Sequence, residues 1–337
     1  MIRRFLLFLL GCVLLTGCVI HEFPVDGSGE GAVVELTLNL QFDKEVPQFQ
    51  TIHYKSKAAA GFQTRYVVAF YRYTSVKADS KPDYLSPAYV FAFLEDEMED
   101  RSFTVEVAPG NYQVLVWADY VSATTAFYTS PAFGTKSTDD RYFEVSLAPG
   151  DYVGNTPLRE AFYGAQEVRL ADVMANRSTE SLDVPMERPQ ARFNFVATDK
   201  EEFIAYWATR GTKSFDLTEL GVKISYPEYY PSTFNLLQSR PVDARTGVEF
   251  DSRVTLLADG TLDLGYDWVF ANADQTGVIV SLSFYDANGR YISTIPNIQV
   301  PLCRGQNTTI RGPLLTSGIE TGIYINPGFE GTFIVPL

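Results

Sequence analysis

The sequence predicts an all-β fold, mainly strands with short helices, arranged as two β-sandwiches in tandem. Three observations lead there. Apolar and polar residues alternate in many short runs, the period of a strand with one face in a core. Turn signals recur at a spacing of roughly 8 to 12 residues, enough for seven or more short strands in each half. Composition agrees: 46% hydrophobic and 20% charged residues are globular values, and 24 Phe with 20 Tyr favour strands.

The chain opens on a segment of a different kind. Arg3 and Arg4 precede an apolar run at 5–14, and Leu15-Thr16-Gly17-Cys18 has the small-residue-then-cysteine ending of a bacterial lipobox. A bilayer-spanning helix takes about 20 apolar residues, and this run is shorter. Residues 1–18 are therefore expected to be a lipoprotein signal peptide, with Cys18 lipidated and holding the mature chain at a membrane. Arg3 and Arg4 leave with the signal, so 25 basic groups face 41 acidic ones and the net charge is −16. That balance argues against nucleic acid as a partner. Cys12 leaves too and Cys18 carries lipid, so no intrachain disulfide is expected, and Cys303 reads as a buried small hydrophobe.

Residues 19–31, polar and Gly-rich, read as a flexible spacer. Val34, Leu36, Leu38, Leu40 and Phe42 then alternate with Glu35, Thr37, Asn39 and Gln41, the cleanest strand in the sequence. A long stretch of low periodicity follows at 43–64, and loops of that length are uncommon unless functional or mobile. Strands are expected next at 65–74, 88–94, 101–107, 112–118, 141–147 and 167–171. Ala108-Pro109-Gly110-Asn111 and Ala148-Pro149-Gly150-Asp151 place Pro and Gly where a type II turn takes them. The character changes near Glu187-Arg188-Pro189, which puts a boundary at 188 between an N-terminal sandwich, 32–187, and a C-terminal one, 188–337. There a strand at 191–196 leads to Thr198 and Glu201, a capping box for a helix at 199–210. Further strands are expected at 219–226, 253–258, 261–266, 277–285, 290–294, 298–303, 308–311, 322–325 and 331–335. Asp259-Gly260 and Asn288-Gly289 read as type I′ hairpin turns.

No catalytic constellation emerges. His21 and His53 are too few and too separate for a zinc site or a Ser-His-Asp triad, and no HExxH, GxSxG, P-loop or dinucleotide fingerprint is present. Glu95-Asp96-Glu97-Met98-Glu99-Asp100 offers carboxylates without the ligand spacing of a calcium loop, so it reads as a solvated hairpin tip. No metal and no cofactor is implied. A glycosidase needs two acids that spacing alone does not identify, so an enzyme ranks last. Trp117 and Trp207 fall on apolar faces, and with Trp268 they are read as core positions. Tyr226, Tyr229 and Tyr230, around Pro227 and Pro231, are better candidates for a ligand-binding surface loop.

Several segments, taken in order, resemble the fimbrillin-like surface lipoproteins of Gram-negative anaerobes, in a branch known only as a domain of unknown function. They are the lipobox, residues 112–121 (YQVLVWADYV), 155–164 (NTPLREAFYG), 187–203 (ERPQARFNFVATDKEEF) and 307–316 (NTTIRGPLLT), and the terminal GTFIVPL. The resemblance spans both halves. It implies transthyretin-like, Greek-key sandwiches and a non-enzymatic role as a stalk, tip or anchor subunit of fimbriae, or in adhesion, at the outer membrane. In polymerising relatives a first strand is lost after proteolysis in the loop behind it, and the vacated groove accepts a strand from the next subunit. On that pattern residues 33–42 form the strand removed, Lys55, Lys57 and Arg65 are candidate cut sites, and 331–337 is the donor. The expected partners are the membrane through Cys18, other fimbrial subunits, or a ligand on a host or bacterial surface. The alternative is a monomeric cell-surface lipoprotein that binds a glycan or protein through the loop at 226–233.

Overall fold

A computed structural model of the chain describes residues 33–43, 61–75, 81–122, 130–134, 142–170, 179–210, 216–317 and 319, and the backbone of 332–336. The segments expected to be a signal peptide ending at Cys18 and a spacer, together with Lys55 and Lys57, lie outside the described residues. Strand β1 (Val34–Phe42) keeps the alternation expected of it, with Val34, Leu36, Leu38 and Leu40 buried. After it come β2 (Phe62–Arg72), β3 (Tyr89–Glu95), β4 (Arg101–Val107), β5 (Asn111–Ser122), β6 (Phe133–Gly134), β7 (Glu144–Leu147), β8 (Phe162–Arg169) and β9 (Thr179–Met186). Two sheets, β4-β1-β9 and β3-β2-β5-β8, close over a core that includes Leu36, Leu38, Tyr66, Phe70, Val114 and Val116. The Tyr112 hydroxyl donates to the Ala108 carbonyl at 2.8 Å and pins the β4–β5 corner as a tyrosine corner does.

The acidic run does not form a hairpin tip. β3 and β4 belong to different sheets, so residues 96–100 cross from one to the other. Met98 is fully buried and anchors the crossing, while the Tyr66 hydroxyl meets the Glu97 carbonyl at 3.2 Å and the Glu99 N–H at 3.3 Å. Burial of one apolar side chain thus outweighs the polarity of its neighbours. The two Pro-Gly corners also differ. Gly150 has the positive φ of 101° that a type II turn requires, and Gly110 does not take a positive φ.

The second half contains β10 (Gln190–Ala197), helix α1 (Lys200–Ala208), β11 (Gly221–Tyr226), β12 (Tyr230–Asn235), β13 (Arg240–Arg245), β14 (Val248–Arg253), β15 (Thr255–Leu256), β16 (Leu262–Phe270), β17 (Thr276–Tyr285), β18 (Tyr291–Leu302), β19 (Gln306–Gly312) and β20 (Thr332–Pro336). Sheets β15-β16-β10-β19-β20 and β14-β11-β17-β18 enclose Phe193, Phe195, Ile224, Val280, Leu282 and their neighbours. The last strand, β20, lies antiparallel to β19 at the sheet edge. The helix falls where expected, but its cap differs. Asp199 is the N-cap and makes no side-chain capping bond. Its carboxylate instead accepts from Leu315 N–H at 3.2 Å and from Thr316 N–H and Oγ1 at 2.7 Å each. Both hairpins are present with another turn type: only the glycine takes positive φ, at 83° for Gly260 and 73° for Gly289, which is a type I turn followed by a left-handed glycine. Cys303 is partly exposed rather than buried, with Sγ 2.9 Å from the Ala273 carbonyl.

A fifth sheet, β13-β12-β7-β6, takes two strands from each half. It covers the side of β2 and β5 that faces away from β1. Ala69, Tyr71, Leu115, Trp117 and Tyr163 meet Phe133, Val145, Phe234, Leu236 and Phe270 there. The central strands of the first half are therefore buried on both faces, which explains the continuous apolar run at 66–71. Of the tryptophans, Trp117 and Trp268 are buried, while Trp207 is half-buried against the second core.

Phe234 stacks edge-on Tyr163 at 5.0 Å and lies 5.6 Å from Phe270, linking the halves. Phe234→Ala is expected to cost about 3–5 kcal/mol and to split a single calorimetric unfolding transition into two. A second prediction concerns Asp259, which accepts from Thr261 Oγ1 at 2.6 Å, Thr261 N–H at 3.0 Å and Arg311 Nη2 at 3.0 Å. The Thr261 bonds, aided by Arg311, hold its carboxyl down at about 2. A carboxyl depressed on folding contributes stability above its unfolded value of about 3.9 and loses it as pH falls through the folded value. Carboxyl NMR titration should place the Asp259 midpoint near 2, and Thr261→Val should raise it.

Candidate functional site

Two places bear on function: the slot that β1 fills and the junction between the halves. β1 is paired on both edges, antiparallel from Val34↔Val107 to Leu40↔Arg101 on β4 and parallel from Glu35↔Thr179 to Phe42↔Met186 on β9. Its inner face is aliphatic and its outer face polar. The Asn39 amide donates to Ser181 Oγ and Asp183 Oδ1, both at 2.9 Å, and its carbonyl accepts from Ser102 Oγ at 2.8 Å. At the end of the strand, Phe42 packs edge-on Phe162 at 5.0 Å, and Arg188 Nη1 donates to the Asp43 carbonyl at 3.1 Å.

Arg65, expected as a cut site, is not accessible. It lies inside β2, opposite Asp119 of β5, and the two form a bidentate pair at 2.9 and 2.7 Å with both side chains 0% exposed. A protease needs an extended, exposed segment, and a cut here would strand a buried charge.

The tyrosines around Pro227 and Pro231 also divide. Tyr229 is 72% exposed, but Tyr226 and Tyr230 are buried and so are not a surface platform. Their hydroxyls enter a polar knot around Asp267. Tyr226 donates to Asp267 Oδ2 at 2.6 Å, Tyr152 donates to the same oxygen at 2.7 Å, and the Trp268 N–H donates to Oδ1 at 2.9 Å. Arg159 Nε stands 3.7 Å from Oδ1, with its guanidinium 4.1 Å from the centre of the Tyr152 ring. Tyr230 bonds to the Tyr152 hydroxyl and donates to the Trp268 carbonyl at 3.0 Å. Burial pushes the Asp267 carboxyl up, opposed first by Arg159 and then by the two phenols. Burial also raises Tyr152 and Tyr226 well above 10. Protonated phenols and a carboxylate that satisfy one another form a structural tie rather than an acid–base pair poised for catalysis.

Sequence reading missed Tyr152, Arg159 and Asp267 because no local signal marks them. Tyr226 and Tyr152 meet Asp267 across separations of 41 and 115 residues. Among the described residues no group of three His, Cys, Asp or Glu is placed to hold a metal ion. Among them, too, no helix is long and apolar enough to cross a membrane.

Residues 27–335 match a family of unknown function, DUF6562, and the chain belongs to it. No curated protein matches the chain. Among solved structures it is similar to a candidate cell adhesion protein from Bacteroides eggerthii, at 10% identity over 93% of this chain and 98% of the other, with a TM-score of 0.44. It is also similar to the tip fimbrial protein Mfa3 from Porphyromonas gingivalis, at 12% identity over 90% and 100% of the two chains, with a TM-score of 0.41. A third is the fimbrial anchor protein Mfa2 from Porphyromonas gingivalis, at 10% identity over 82% and 90%, with a TM-score of 0.38.

Asp267→Ala leaves two phenols, one N–H and one guanidinium without their acceptor, and is expected to destabilise the fold by about 3–5 kcal/mol. Tyr229→Ala should stay within about 0.5 kcal/mol of the parent. Urea denaturation of both variants distinguishes a buried tie from a surface loop.

Proposed function

We propose that this protein is a lipid-anchored, fimbrillin-like structural or adhesion subunit of the outer membrane, held there through Cys18 and assembling with other subunits by strand exchange. The observation that carries this reading is the place of β1, which among the described residues fills the gap between β4 and β9 as the central strand of a three-stranded sheet. Val34, Leu36, Leu38 and Leu40 are buried, and each such side chain contributes roughly 1.5–3 kcal/mol. Their sum, about 6–12 kcal/mol, rivals the 5–15 kcal/mol of a typical domain. A chain that lost β1 would therefore have to replace it, and an alternating apolar strand from another copy has the right form. β20 is the natural donor, since it sits at a sheet edge, paired antiparallel with β19. The role is structural, without a cofactor and without nucleic acid as a partner.

With Arg65 buried, Lys55 and Lys57 are the cut sites this reading retains. Limited trypsin digestion of residues 19–337, with N-terminal sequencing and size-exclusion chromatography, tests it. Cleavage after Lys55 or Lys57, release of β1 and growth of oligomers is the expected result. A chain that is cut there yet keeps β1 and stays monomeric would overturn strand exchange.

A further inference from the structure

Beside the polar knot, between the loop that follows β7 and the β13–β14 corner, lies a polar cleft of about 620 Å³. Its floor is rigid. The Tyr152 ring is held through its hydroxyl by Asp267 and Tyr230, and by Arg159 stacked on it. Arg245 lies 5.4 Å from the same ring centre, and its Nε is buried without a hydrogen-bond partner. No carboxylate among the described residues stands within ion-pair distance of it. Lys223, in contrast, is already engaged: its ammonium bonds Glu249 at 2.8 Å, which raises its pKa, and stands 4.0 Å from Asp251. Asp151 lines the opposite side and is exposed.

The cleft thus sets a guanidinium that no described carboxylate pairs among carboxylates with unused acceptors, at almost balanced charge. An anion would meet Asp151, Glu249 and Asp251, and a cation would meet Arg245 and Lys223. A neutral polyol suits both sets, because each hydroxyl accepts from the guanidinium and donates to a carboxylate.

We propose that this cleft binds a neutral polyol, a hexopyranose unit of a glycan, with Arg245 and Asp151 as its polar contacts. The site shares no residue with β1, so its failure and the failure of strand exchange are separate results. Saturation-transfer NMR of residues 19–337 with maltohexaose, cellohexaose and mannohexaose tests it, with tetragalacturonate as the anionic comparison. Transfer to at least one neutral hexaose is expected, with affinity falling about tenfold in Arg245→Gln and in Asp151→Asn, the loss of one charge-assisted hydrogen bond. Asp151 is exposed, so its variant decides the matter even if Arg245→Gln fails to fold. No transfer to any neutral hexaose, transfer to tetragalacturonate alone, or binding unchanged in Asp151→Asn would overturn the assignment.

Discussion

One buried carboxylate organises the junction on which the rest of the molecule depends. Asp267 comes from the second half, while Tyr152 and Arg159, which reach it, come from the first. An isolated carboxylate in an apolar interior costs several kcal/mol, so this site is stable only when both halves supply their donors together. That makes the tie conditional in both directions. The second half buries Asp267 only with the loop that follows β7, and that loop is tied to the second half again by Glu160, which pairs with Arg188 at 2.7 Å. The same hydrogen bonds fix the Tyr152 ring, so the geometry of the neighbouring cleft is set by the contact that joins the halves.

The fifth sheet extends this logic to apolar packing. β6 and β7 are short, and β13 is exposed along much of its length, so none of them would persist as an isolated hairpin. Joined as β13-β12-β7-β6, they cover Trp117 and the far faces of β2 and β5. The first sandwich then needs the second to complete its burial. Two units with separate cores are coupled through a shared layer, which favours cooperative behaviour over independent domains joined by a linker.

What the sequence made legible was whatever depended on local period. β1 and β4 were readable residue by residue because one face is apolar and the other polar, and α1 was placed within a few residues. The failures share a cause, since each involves a partner far away in the chain. Residues 96–100 look like a solvated tip until Met98 finds its core. Arg65 looks like an exposed cation until β5 brings Asp119 opposite, a separation of 54 residues. β12 and β13 each carry a proline and weak alternation, which suits edge or irregular strands and hides them from a search for period two, whereas β9 alternates through Leu182, Val184 and Met186 and is masked only by Pro185 and its polar first half. Tyr226 and Tyr230, in a Pro-rich stretch that resembles a loop, end buried because their hydroxyls join the polar knot, Tyr226 at Asp267 and Tyr230 at the Trp268 carbonyl. Local pattern thus revealed the class of fold and the first strand, and missed the polar junction.

The alternation along β2 also separates the two functional regions. Tyr66, Val68 and Phe70 point into the core that β1 completes, whereas Ala69 and Tyr71 point into the layer shared with the second half. Exchange of the first strand, in the proposed assembly, would rebuild one face of that sheet while the opposite face kept its contacts. β1 approaches the junction at its end, where Arg188 holds the Asp43 carbonyl and pairs with Glu160 at 2.7 Å. Arg188 keeps that carboxylate whether or not Asp43 remains, so departure of the strand would not leave the Arg188 charge unpaired. A period of two therefore would let a single sheet, in the proposed assembly, serve an exchanged strand on one side while keeping the junction, with its adjoining cleft, on the other.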